Sequence, residues 1–196
     1  SESCWEVKNN TCLTVLKLLL LVCVAEHGKN HTADTDGCLD DIPNDINEGL
    51  GSKNDKDGRF LALSFYVINN GETARNFTMD FRITQVNKNL DDILRVMIIL
   101  DGEKSFYSKA RVDEENAEFG EPIMGFGVDG VEEVQRTKAF EERSICVNEF
   151  NDFKVGETKK FTIVMWLDGF DEQNPNGNVN MLGGALKTEL KFSITG

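Results

Sequence analysis

The sequence predicts an all-β protein, a two-sheet antiparallel β-sandwich of jelly-roll type behind an N-terminal extension. Several segments alternate apolar and polar side chains with the two-residue period of a strand buried on one face, most clearly residues 60–84, FLALSFYVINNGETARNFTMDFRIT. Convincing helical periodicity, heptads and internal repeats are absent. The joining segments are rich in Asn, Asp and Gly and uneven in length, which suits jelly-roll or Greek-key connections better than a regular meander. With 196 residues, 40% hydrophobic, and 13 Phe against 3 Pro, the chain can bury one sizeable core and carry a small appendage. We place the sandwich in residues 59–196. Residues 1–58 form the extension, a cysteine-rich apolar arm followed by an acidic linker.

In chain order, residues 1–12 are polar. Residues 13–24, LTVLKLLLLVCV, are apolar on every face except at Thr14 and Lys17. Leucine favours a helix there, whereas the length and the Val-Cys-Val ending suit a strand buried on both sides. With no periodicity to decide, both readings stay open. The run resembles a signal-peptide core, but Glu2 and Glu6 replace the basic flank such a core needs, so it is taken as part of the folded chain. No stretch reaches the roughly 18–20 apolar residues of a membrane-spanning helix. Residues 26–59 read as a long polar connection with one helical turn near residues 41–48.

Leu61, Leu63, Phe65 and Val67 then share one face of a strand, and Phe77, Met79, Phe81 and Ile83 one face of the next. Asn69-Asn70-Gly71 between them can take the positive φ angles of a tight turn. Seven residues separate Ile68 from Asn76, so the two strands either pair across a longer loop or belong to the two sheets of one sandwich. Residues 89–92 suggest a helical turn, residues 95–100 (RVMIIL) a central strand closed by Asp101-Gly102, and residues 106–112 its hairpin partner. Residues 113–130 read as loop, and residues 131–153 are ambiguous until the alternation of residues 144–150. A turn at residues 155–157 leads into a strand with Phe161, Ile163, Met165 and Leu167 on one face and Trp166 on the other. Residues 170–178 are loop, and Leu186, Leu190, Phe192 and Ile194 mark a terminal strand.

The charge balance, 34 acidic against 21 basic residues for a net −13, argues against a sequence-independent grip on nucleic acid or anionic lipid. Of the five cysteines, Cys4, Cys12, Cys23 and Cys38 fall in the first 38 residues, where a thin extension gains most from stapling. One or two disulfides there imply an oxidising compartment, and the odd count leaves one thiol over. Two stretches have the alternating oxygens and glycine of a calcium loop: Asp34, Asp36 and Asp40, and Asp55 with Asp57. Neither has the terminal Glu of a full EF-hand. Cys23, His27, His31 and Cys38 offer a tetrahedral set for zinc whose spacing matches no standard finger.

His27 and His31 are the only histidines, and no nucleophile elbow, His-Glu-x-x-His, P-loop or dinucleotide fingerprint occurs. The expectation is a non-enzymatic protein with no required cofactor, calcium being the one the residues raise. A competing reading is a monomeric surface-binding or adhesin module. Its site would lie on the loops of residues 113–129 and 170–180, with Phe119, Phe126 and Phe170 as its aromatics.

The order of signals across residues 59–194 resembles a known family. FYVINNGE, FTMDFRI and RVMIILDGE come first, and VGETKKFTIVMWLDG, an acidic loop and GGALKTELKFSI follow. This is similar to the TasA/camelysin-like secreted jelly-roll proteins exported with a SipW-type signal. The resemblance covers about the C-terminal two-thirds of the chain, and the cysteines and leucine run of residues 1–58 depart from it. It implies an extracellular, cell-surface subunit of a biofilm-matrix filament, similar also to archaeal bundling pili, in which one subunit's N-terminal strand completes the sandwich of the next. Metalloprotease activity, associated with camelysins, is not supported by the residues present.

The arm's chemistry agrees independently with strand donation. A strand apolar on both faces gains by entering a neighbour's groove, where Leu13, Val15, Leu16, Leu18, Leu19, Leu20, Leu21, Val22 and Val24 would form the subunit interface. Leu16, Leu18, Leu20, Val22 and Val24 lie on the face to be buried, at roughly 1.5–3 kcal/mol each before ordering costs. Such a head-to-tail insertion does not close on itself, so its product is a homopolymeric fibre, with other matrix components as further partners.

Overall fold

The computed structural model describes residues 20–23, 38–110, 119–126, 132–168 and 184–195. These contain β1 (Leu20–Cys23), a 3-10 turn (Leu39–Asp41), β2 (Gly51–Ser52), β3 (Phe60–Ile68), β4 (Arg75–Val86), β5 (Leu94–Leu100) and β6 (Glu103–Ser108). They continue with β7 (Ile123–Phe126), β8 (Glu132–Gln135), β9 (Lys138–Ala139), β10 (Ser144–Phe153), β11 (Thr158–Leu167) and β12 (Ala185–Ile194). One sheet has the order β1-β12-β4-β10, the other β2-β3-β11-β5-β6-β9, and β7 pairs with β8. All pairings are antiparallel except β6 with β9.

The connections are those of a jelly roll. The chain crosses between sheets from β3 to β4, β4 to β5, β10 to β11 and β11 to β12, whereas β2 to β3 and the β5–β6 hairpin stay within one sheet. The two strands of residues 60–84 therefore lie in opposite sheets, which resolves the choice left by their seven-residue connection. The turn between them works differently from the sequence expectation. No residue of Asn69-Asn70-Gly71 has positive φ. Instead the Asn69 side chain, 8% exposed, accepts from Gly71 N at 3.0 Å and donates to Phe153 O at 2.7 Å and Thr73 O at 3.1 Å, fastening the connection to the end of β10.

Other boundaries also shift. Asp101 (φ 49°) and Gly102 (φ 98°) make a two-residue hairpin whose twist suits the flanking strands, so β6 begins at Glu103 rather than near Phe106. Within the expected loop of residues 113–130, residues 123–126 form β7, because partner β8 supplies a ladder that local composition does not reveal. The expected helical turn at residues 41–48 is a 3-10 turn at Leu39–Asp41 followed by turns. Segments assigned to the extension join the sheets: β1 extends one, and β2 with its continuation (Lys53 N to Ala62 O, 2.9 Å; Asp55 N to Phe60 O, 3.1 Å) lines β3 in the other.

Alternation decides the core. Between the sheets lie Phe65 and Val67 of β3, Phe77, Met79, Phe81 and Ile83 of β4, and Val96, Ile98, Phe161, Ile163, Leu186 and Leu190. At one end the phenylalanines interlock: Phe161 stacks on Phe65 at 5.4 Å between centroids and meets Phe150 and Phe192 edge-on at 5.8 Å each. The six-stranded sheet is covered on its outer face as well. Phe60, Ala62, Met97, Ile99, Val164 and Trp166 pack under Leu39, Ile42, Ile46 and Ile123, which explains why β5 and β11 read as nearly unbroken apolar runs.

Beside β6, Ser108 Oγ and Thr137 Oγ1 lie 2.7 Å apart and both donate to Glu121 O, at 2.7 and 2.9 Å. Gly120 closes over this group. A Cβ there would fall 2.5 Å from Thr137 Oγ1 and closer still to Ser108 Oγ, both held by their hydrogen bonds. We expect Gly120→Ala to lower stability by about 2 kcal/mol, the usual scale of overpacking, read as a lower urea midpoint at unchanged slope.

Candidate functional site

The feature of the fold with most bearing on function is the outer margin of β12. Alternation puts Leu186, Thr188 and Leu190 into the core, and β4 pairs with β12 from Leu186 to Ile194. On the other side β1 covers much less. Its register sets Leu20 opposite Thr188, Leu21 opposite Lys187, Val22 opposite Leu186 and Cys23 opposite Ala185. Leu20 and Val22 thus hold register positions facing two fully buried residues of β12. Among the described residues nothing pairs with the outer side of residues 189–194.

Core residues are incompletely covered on this same side. Phe192 of β12 and Leu63 of β3 pack against the core yet remain half-buried, and Ile194 is 61% exposed. Phe192 lies 6.0 Å from Phe65 across the sandwich, so the margins of β12 and β3 face one another. The site is a slot: a strand edge with backbone groups to satisfy, beside half-covered aromatic and aliphatic surface.

The opposite margin of the same sheet is built to refuse a strand. Its last strand, β10, has register shifts at Ser144/Cys146 and at Phe150/Phe153, with Asp152 in the left-handed region (φ 56°) and Glu149 exposed. Bulges and charges of this kind blunt an edge. The uncovered part of β12 carries Glu189 and Lys191 but no bulge: its one irregularity against β4 lies at Lys187/Thr188, beside the portion that β1 already covers.

The remaining sequence candidates fall as follows. Leu13, Val15, Leu16, Leu18, Leu19, Val24, Cys4, Cys12, Asp34, Asp36, His27 and His31 lie outside the described residues, as do most of the loops at residues 113–129 and 170–180; of their aromatics, Phe119 is 44% exposed. Cys38, expected in a disulfide, is a free thiol whose Sγ donates to Asp41 Oδ2 at 3.3 Å. Burial, aided by Asp41, raises its pKa. Cys146 is also free, and burial pushes its pKa up to about 12, so neither thiol is activated.

The Asp55 oxygens are engaged as acceptors rather than arranged around an ion. Oδ2 takes the N–H of Asp57, the N–H of Arg59 and Arg59 Nε, each at 3.1 Å. Arg59 also pairs with Asp41 and lies 3.9 Å from Asp57 Oδ2. Asp40 sits exposed in the 3-10 turn. Among the described residues no group of three His, Cys, Asp or Glu is placed to hold a metal, and no helix is long and apolar enough to cross a membrane.

Sequence reasoning missed Arg59, which ties the strap of residues 38–41 to the turn entering β3. It also missed Arg95, 1% exposed and paired through Nε with the equally buried Asp168 at 3.2 Å. The only signal for Arg95 was a charge within an apolar strand. No family model matches the chain, and no curated protein matches it either.

The Arg59 hydrogen bond holds the Asp55 carboxyl below the usual carboxylate range. A carboxyl depressed on folding adds stability above its unfolded pKa and loses it as pH falls through the lower folded value. Acidification below about pH 4 should therefore remove the stability that the Asp55–Arg59 contact adds to this turn, and Asp55→Asn should flatten that part of a urea-midpoint profile against pH.

Proposed function

We propose that the chain is a non-enzymatic structural subunit of an extracellular filament, polymerising head-to-tail as the N-terminal arm of one copy enters the β12 slot of the next. This is the role expected of a TasA/camelysin-like matrix protein or pilus subunit. The observation that carries the reading is that the outermost strand beside β12 comes from the arm. The arm joins the rest of the sandwich through residues 24–37, a 14-residue connection. At about 3.3–3.6 Å per residue that connection spans up to about 50 Å, enough to deliver the strand to a neighbour.

Exchange of an identical strand keeps every ladder contact and changes only which copy supplies it. Continued residue for residue, the register would set Leu18 opposite Leu190 and Leu16 opposite Phe192. The apolar face of the arm would then cover the half-buried surface at the slot. The blunted margin at β10 supports a single direction of growth.

Two experiments decide the matter. Deleting residues 1–25 should leave a folded monomer with no fibres in electron micrographs; fibres persisting after the deletion would refute the arm's role. For the second, Cys4, Cys12 and Cys38 are replaced by Ser and Cys146 by Ala, and Ala185→Cys is added opposite the native Cys23. Paired strands bring such residues within disulfide range. Oxidation should produce covalent ladders on a non-reducing gel. Exclusively intramolecular closure would instead identify a monomer that fills its own slot.

A further inference from the structure

A second margin has the features of a binding site and lies on the far side of the sandwich from β12. β6 is paired with β5 along its whole length, but on its other side β9 covers only Tyr107 and Ser108. Because Leu100 and Glu103 flank a two-residue turn as a hydrogen-bonded pair, the backbone N–H and C=O of Lys104 point away from β5. Among the described residues no strand meets them.

Cavities open along this uncovered stretch on both faces of the sheet. The outer one, about 1100 Å³, lies against Met97 and Phe106; the inner one, about 330 Å³, against Ile98, Leu100, Tyr107 and Phe150. Glu103, Ser105 and Lys138 border both, so the two spaces meet along the strand edge. A cavity above and another below a free edge is what an added strand requires, because its side chains leave alternately to either face.

The two cavities differ in charge. The outer one is bordered by Lys104, Arg136 and Lys138 against Asp40 and Glu103, so its rim is net positive, and among the described residues neither Lys104 nor Arg136 takes part in an ion pair. Ile98, Leu100, Tyr107, Val147 and Phe150 give the inner one an apolar wall, while Glu103 and Glu149 outnumber Lys138 at its polar rim, which disfavours a second acid there. We propose that the β6 edge binds an extended peptide whose side chains alternate between apolar and acidic. Its backbone pairs with β6 at Lys104, its apolar side chains enter the inner cavity, and its carboxylates face Lys104 and Arg136. The proposal does not depend on the filament reading, since the two edges are on opposite sides of the fold.

The test uses the full chain and a fluorescein-labelled peptide of about eight residues alternating valine and glutamate, followed by anisotropy. Binding should be about tenfold tighter than for the valine–lysine counterpart, and a central proline should abolish it. Lys104→Glu with Arg136→Glu, both at exposed positions, should weaken binding by about tenfold, and the bound peptide should slow amide exchange at Lys104. Equal affinity for the two peptides, indifference to the double substitution, or slowed exchange at β12 instead would overturn the proposal. So would equal competition by polygalacturonate, an acidic polymer without amides.

Discussion

The structure depends on the closure of two sheets over phenylalanine. Phe161 is fully buried between Phe65 of its own sheet and Phe150 and Phe192 of the other, and Phe77 stacks on Phe150 at 4.5 Å. These rings come from two consecutive strand pairs, β3 with β4 and β10 with β11, and from β12, so the cluster closes only when segments far apart in the chain meet across the two sheets. The same closure places β12 at one margin and β10 at the other, and so determines which edges are left for pairing.

Interior polar groups follow from this arrangement. Arg95, the second residue of β5, lies on the outer face of the six-stranded sheet, directly opposite Trp166 and beneath a covering layer, where a charge is tolerated only with a partner. Asp168 supplies it, and its own N–H donates to Ile93 O at 2.8 Å, fixing the point where β11 ends. At β6 the Ser108–Thr137–Glu121 cluster works similarly, joining strand, bridge and loop through oxygen atoms that would otherwise be buried unsatisfied.

The edges are managed unequally. β10 is bulged and charged, and β3 is lined by residues 51–55, whereas β12 and β6 each retain an uncovered stretch beside apolar surface. Open edges attract further strands, and a protein that leaves them beside cavities or half-buried aromatics has surfaces suited to strand partners. On our reading one edge takes the arm of another copy and the other takes a peptide of different chemistry.

By itself the sequence determined the all-β class, the strands of residues 60–68, 75–86, 94–100, 158–167 and 185–194, and most of their inward faces. A period of two and the placement of apolar side chains are local properties that burial on one face imposes. It also marked the arm as a segment in need of cover. Only the tertiary structure decided that β3 and β4 lie in different sheets, that residues 123–126 form a strand, that Cys38 is a thiol, and that Asp55 serves Arg59. Each of these depends on a partner far along the chain, and no window of sequence reveals which distant backbone or side chain will satisfy a given group.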